Sequence, residues 1–171
     1  IDLALLYDSV PSKFIDSHQI VAEQLWLIGP YSSDLHQSKA VELAEISELP
    51  LILPYSPHQL RFLIDHGFQI EKLDLKIAAE INDLNVQKQL VKEGLGYTIL
   101  PLVAVKSDLQ QKTIKVAPIQ HTEFSRNIAI ALPNTRHISK LVHVIAGETF
   151  NCCKIAIETK AWLGGSWISD R

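Results

Sequence analysis

Short apolar runs and helical stripes alternate along almost the whole chain, and that alternation limits the possible folds more than any other feature. The runs are Leu3 to Tyr7, Gln24 to Ile28, Leu51 to Leu53, Lys76 to Ile81, Tyr97 to Leu100, Ile114 to Ala117 and Ile128 to Leu132, set off by Pro, Gly, Ser or Asp. Runs of this length read as strands. Between them Leu60, Leu63 and Ile64 form one stripe, for which Ser56 is the expected N-cap, Pro57 the first helical residue and Gly67 the stop. A second helix opens at Asn82 or Asp83, carries Val86, Leu90 and Val91, and ends at the Gly94-Leu95-Gly96 turn. Those glycines follow a helix, whereas a phosphate-cradling loop precedes one, so a nucleotide site is not expected. The last helix places Ile138, Leu141, Val142, Ile145, Thr149, Cys152 and Ile155 on one face, predicted to pack a core or a partner. Strand and helix in alternation predict an α/β fold of parallel layers, with any ligand crevice beyond the carboxyl ends of the strands.

With 47% hydrophobic residues in 171, the chain can bury one ordinary core or two smaller ones. Its net charge of -3, from 16 basic and 19 acidic residues, gives this segment no electrostatic hold on a phosphate backbone. DNA contact, if any, is expected from elsewhere. The only cysteines, Cys152 and Cys153, are neighbours, which makes neither a disulfide framework nor a metal site, and a reducing cytoplasm is the plain reading. No apolar run approaches the roughly 20 residues of a membrane span. Ile1 opens directly on a strand, without a leader, and reads as the trimmed edge of a longer fold. Lys160 to Arg171, with Trp162 and Trp167, shows no periodicity and reads as a tail.

Templates for catalysis are missing. His18, His36, His58, His66, His121, His137 and His143 are dispersed and never spaced i, i+4, and no serine occupies a nucleophile elbow. Cys152 and Cys153 lie within a helical pattern where burial is the default. Asp8, Glu80 and Asp83 could be gathered in space, but Glu80 ends a strand and Asp83 suits a cap, so each has a structural use first. Arg61 either meets an anion or pairs with Asp65 at i+4. No metal, no cofactor and no enzymatic activity are expected. The polar residues at strand ends, Tyr7, Asp8 and Ser9, then Tyr55, Ser56, His58 and Gln59, then Asn82 and Asp83, are the ones positioned to converge on a cleft.

Three segments together resemble the regulatory domain of LysR-type transcriptional regulators: Ile1 to Tyr7, Glu23 to Ile28, and Leu51-Ile52-Leu53-Pro54 followed by Leu60-Arg61. The most specific likeness is in Glu80-Ile81-Asn82-Asp83-Leu84, Leu90 to Tyr97 and Ile99-Leu100-Pro101, which follow that family's order of acidic strand end, helix, glycine turn and strand ending in Leu-Pro. The resemblance covers roughly residues 1–150, and the style of the strands is nearest the nitrogen assimilation control branch.

The resemblance implies two Rossmann-like lobes of periplasmic-binding-protein type, with an effector held between them and the first lobe incomplete. Residues 24–116 would be the second lobe, 1–23 and 117–155 pieces of the first, and 156–171 a C-terminal tail. It further implies self-association, and DNA contact only through a helix-turn-helix that lies outside this sequence. By position Tyr7, Asp8, Tyr55, Ser56, His58 and Asn82 become the effector-binding candidates. Two other readings share the architecture: a transport-type solute-binding protein, and a module that sets oligomeric state without any effector.

Overall fold

The computed structural model describes residues 1–7, 12–135 and 138–168. The chain forms two compact units, one from Leu25 to Phe124 and one from Ile1 to Gln24 together with Ser125 onward. The sequence reading closed the inserted lobe at residue 116. In the structure the inserted unit runs to Phe124, because Ile119 bridges to Val41 and the fully buried Phe124 ring meets Phe68 edge-on at 5.9 Å.

In the inserted unit, strand β3 (Leu51–Leu53) lies parallel to β4 (Ile77–Glu80). On its other side β3 meets β5 (Thr98–Pro101) through Ile52 N–H to the Tyr97 carbonyl at 2.7 Å and Tyr97 N–H to the Pro50 carbonyl at 2.8 Å. The long strand β2 (Ile15–Pro30) passes from one unit to the other, and its second half pairs antiparallel with both β5 and β6 (Ile114–Pro118). The sheet is therefore mixed, where an all-parallel one was expected. The reason is topological: β2 enters this unit at the edge where β3, β4 and β5 end, so it must run against them. Helices α1 (Leu43–Ser47), α2 (Gln59–Ile70), α3 (Leu84–Lys92) and α4 (Lys106–Gln110) complete the unit. Its core comprises Leu25, Leu27, Ile46, Leu51, Ile52, Leu53, Ile64, Phe68, Val91 and Ile99, all fully buried.

Gly96 is dictated by that packing, since a Cβ there would stand 2.6 Å from the Pro50 carbonyl oxygen that ties β3 to β5. Helix α2 differs from the sequence reading at both ends. Ser56-Pro57 is a cis peptide, the cap is His58, and helical residues begin at Gln59. Gly67 does not stop the helix but lies inside it, where a Cβ would approach the Phe124 ring to 2.5 Å. Helix α3 begins and ends as read, with Asp83 as N-cap and Gly94 at φ +77° beyond its end.

The other unit is an antiparallel sheet of β1 (Ala4–Tyr7), β7 (Ser125–Pro133), the first half of β2, and β8 (Gly165–Trp167), in that order. Helix α5 (Lys140–Glu158) is capped by Ser139, whose hydroxyl accepts from Val142 N–H. Its inward side differs from the predicted stripe. Cys153, Phe150 and Ile157 pack on Ile20, Val21, Ile128 and Ile130, whereas Leu141, Ile145, Cys152 and Ile155 are exposed. The segment read as an aperiodic tail belongs to this core: β8 pairs with Val21, Ala22 and Glu23, and Trp162 and Trp167 pack against the cluster. Among the described residues no helix is long and apolar enough to cross a membrane, and no three His, Cys, Asp or Glu could hold a metal ion together.

Candidate functional site

Parallel strands expose their carboxyl ends on one edge, and the loops that leave those ends are fixed by whatever satisfies their backbone groups. In the inserted unit β3 and β4 deliver two such loops side by side. Ile81 N–H donates to the Leu53 carbonyl at 2.8 Å, carrying the ladder one step past β4. Tyr55 N–H then donates to Asn82 Oδ1 at 2.9 Å, so the Asn82 side chain holds the β3 loop against the β4 loop. His58 N–H closes a turn on the Tyr55 carbonyl at 3.0 Å, and His58 Nδ1 accepts from Leu60 N–H at 3.1 Å. Asp83 Oδ1 accepts from Asn85 N–H and Val86 N–H, at 2.8 and 3.0 Å. Both helix starts are thus capped by side chains from the loops themselves.

This geometry gathers four of the six candidates, Tyr55, Ser56, His58 and Asn82, all exposed on one edge of the sheet. Two of them already have local work: Asn82 spends its carbonyl oxygen on Tyr55 and keeps its amide group, while His58 spends one ring nitrogen as a cap. Tyr7 ends β1 in the other unit, and Asp8 lies outside the described residues, as does Ser9.

Arg61 braces the same edge from beneath. Its Nε donates to Asp65 at 2.7 Å, one Nη donates to the Pro54 carbonyl at 3.0 Å, and the same Nη pairs with Glu80 at the end of β4. Burial works against its charge, but the hydrogen bonds from Asp65 and Glu80 outweigh burial and hold the guanidinium above its ordinary value. Of the two roles open to Arg61 in the sequence, the structure gives it the i+4 pair, extended to a second carboxylate. Glu80 is engaged by that pair and Asp83 by the cap, which leaves neither positioned as an acid or base.

Below α3 a second ionic cluster fixes the unit's far flank. Lys88 donates to Asp108 at 2.9 Å and to the Ala104 carbonyl, and Lys92 pairs with the other carboxylate oxygen. Burial alone would raise the Asp108 carboxyl, yet the hydrogen bonds from Lys92 and Lys88 prevail and hold it below the usual carboxylate range. Gln87, also buried, donates to the Ile52 carbonyl and to Thr98 Oγ1, stitching α3 to β3 and β5.

Sequence reasoning missed the network that surrounds Tyr7. Glu23 is only 1% exposed. Its Oε2 accepts from Arg126 Nε at 2.8 Å and Nη2 at 2.7 Å, and its Oε1 accepts from Trp162 Nε1 at 2.9 Å. The Arg126 guanidinium in turn stacks 3.9 Å from the centre of the Tyr7 ring. The partners lie 103 and 139 residues from Glu23, and no local spacing rule reaches that far.

Comparison with known proteins gives this geometry a context. The LysR substrate binding domain model matches residues 1–147. The chain is 26% identical over 146 residues to a probable RuBisCO transcriptional regulator of Synechocystis, a match covering 82% of this chain and 42% of that protein. It is 29% identical over 107 residues to the nitrogen assimilation regulatory protein nac of Klebsiella aerogenes, covering 63% and 34%. The chain thus spans less than half the length of these relatives, both of which are transcriptional regulators and not enzymes. Among solved structures, the Synechocystis CcmR regulatory domain in complex with 2-PG superposes with a TM-score of 0.78 at 14% identity, over 90% of this chain and 74% of that one. That likeness establishes the fold as the α/β fold of periplasmic-binding-protein type.

Proposed function

Because the chain belongs to the LysR substrate binding domain family, we propose that it is the effector-sensing region of a cytoplasmic bacterial LysR-type regulator whose DNA-reading element lies outside this sequence. The observation that carries the reading is the edge formed by the β3 and β4 loops. Tyr55, Ser56 and the free amide of Asn82 are presented on a backbone that internal hydrogen bonds already hold, so little ordering cost is left for a ligand to meet. In the other unit Tyr7, whose ring stacks on Arg126, and Asp8 beside it in sequence stay candidates for effector contact in their own right. His58, half-spent as a cap, contributes its remaining ring nitrogen at most. An effector that binds one arrangement of the protein better than another shifts the population that regulates DNA binding by the complete protein.

Self-association belongs to the same proposal. Phe62 is 71% exposed on α2 with His66 stacked beside it, and Ile70 lies exposed further along that helix, an apolar surface suited to a second copy. Within the family, the match to the nac protein supports a place near the nitrogen assimilation regulators, and the longer match to the RuBisCO regulator supports its neighbourhood equally. The test is isothermal titration of the complete regulator against a metabolite panel that includes 2-PG, paired with promoter footprinting. One binder that alters the footprint, and loses affinity when Ser56 or Asn82 is made bulky, is the expected result. A panel without a binder and a footprint that never changes would favour an oligomerisation module instead.

A further inference from the structure

The edge proposed for the effector is only one end of the inserted unit's sheet. At the opposite end, where β2 leaves at Pro30 and β6 begins at Ile114, the surface is hollowed into a cavity of about 460 Å³. The strand register fixes the separation: Leu25 pairs with Pro101 at the effector edge, whereas Pro30 pairs with Ile114 at the cavity.

Two kinds of surface line this cavity. Leu109, Ile114 and Val116 are apolar, the last two buried. Around them stand Tyr31, Asp34, Lys112 and Lys115. Lys115 is held in place, because its Nζ donates to the Ser33 carbonyl at 2.5 Å and lies 5.6 Å from the centre of the Tyr31 ring. An ammonium has three donors, so this one retains capacity for an incoming acceptor. Lys112 sits just past the end of α4 at φ +55°, and its own N–H donates to Leu109, which fixes where its side chain starts. Among the described residues neither the Lys112 ammonium nor the Asp34 carboxylate has a hydrogen-bonding or ionic partner. The volume falls within the range of small-ligand sites.

We propose that this cavity is a second ligand site, distinct from the strand-end edge, and that it takes an α-amino acid with an apolar side chain. The chemistry follows from the charges. A plain carboxylate would satisfy Lys112 and Lys115 but face Asp34 unpaired, and a plain amine would satisfy Asp34 but face two ammonium groups. A zwitterion meets both, with its carboxylate toward Lys112 and Lys115 and its ammonium toward Asp34. The apolar body then covers Leu109 and Ile114.

Three probes that share one hydrocarbon body separate these terms: L-leucine, 4-methylpentanoate without the ammonium, and leucinamide without the carboxylate. Backbone amide shifts of this 171-residue chain, read during titration, report both affinity and place. Leucine should move the amides of Lys112 to Val116 and Tyr31, with about tenfold tighter binding than either analogue, as expected for one charged hydrogen bond gained. Lys112→Glu should weaken leucine binding about tenfold while leaving the melting temperature unchanged. Asp34→Asn is a second variant that should erase the preference for leucine over 4-methylpentanoate. Failure of all three probes to bind, equal binding of all three, or shifts confined to Tyr55 and Asn82 that ignore Lys112→Glu would each overturn the proposal. None of these outcomes depends on whether the strand-end edge binds an effector.

Discussion

Arg126→Met should be among the most damaging single changes in the chain, because Arg126 is the ionic partner of the buried Glu23. Three donors converge on the Glu23 carboxyl group at 1% exposure, two from Arg126 and one from Trp162. Methionine would remove the cation and both of its hydrogen bonds, leaving a buried carboxylate with one neutral donor. Stranding a buried charge in this way costs about 3–5 kcal/mol, a large share of the roughly 5–15 kcal/mol that holds a domain folded. At this chain length that is a fall of roughly 6–20 °C in melting temperature. Trp162→Phe removes only the neutral donor and should cost about 1–3 kcal/mol. The decisive variant is Glu23→Leu combined with Arg126→Met, which discards both charges together. It should be more stable than Arg126→Met alone, since the expensive species, an unpaired buried carboxylate, no longer exists. Urea unfolding followed by far-ultraviolet circular dichroism measures all of these. An Arg126→Met protein within about 0.5 kcal/mol of wild type, or a double variant no more stable than Arg126→Met, would show that the network does not carry the stability assigned to it.

Three further outcomes are expected. Gly67→Ala gains about 0.5–1 kcal/mol of helix propensity but sets a Cβ 2.5 Å from the buried Phe124 ring, and overpacking of about 1–3 kcal/mol should win. Thermal melting of the variant would therefore fall, and a rise would mean the ring yields freely. Asp108, held below its ordinary range by Lys92 and Lys88, contributes stability that is fully present above the unfolded value near about 3.9 and is lost as the pH falls through the lower folded value. Asp108→Asn should accordingly cost most at neutral pH and progressively less in acid, and a penalty that stayed constant across that range would refute the linkage. Cys153 is buried, and burial followed by the neighbouring Cys152 pushes its thiol up, whereas Cys152 is exposed. Maleimide should label one cysteine per folded chain rapidly, and equal labelling of both would contradict the packing of α5.

Residues that act over short distances made much of this protein legible in its sequence. The Asp83 cap, the Gly94 turn and the strand Leu51–Leu53 follow from local backbone chemistry, and the structure has each where that chemistry places it. The family pattern at Glu80 to Pro101 has the same character, because the packing of β4, α3 and β5 confines it to one stretch of chain. The convergence of Tyr55, Ser56, His58 and Asn82 was likewise legible, since parallel strands in one sheet must end on one edge.

What the tertiary structure alone decided involves partners that are distant in sequence. Gly67 looks like a stop until the Phe124 ring is seen to claim the space of its missing Cβ. The stripe through Leu141, Ile145 and Ile155 has sound helical spacing, yet periodicity says only that a face exists and not which face the sheet will cover. The residues from Trp162 to Trp167 carry no repeat at all, because contacts distant in sequence, among them the β8 pairing, the indole bond to Glu23 and the Trp167 ring against Phe150, fix them in place. Local propensity sets the elements, whereas burial is a property of the assembled chain. For that reason α5 and the C-terminal segment could be placed only once β2 and β7 were in position to receive them.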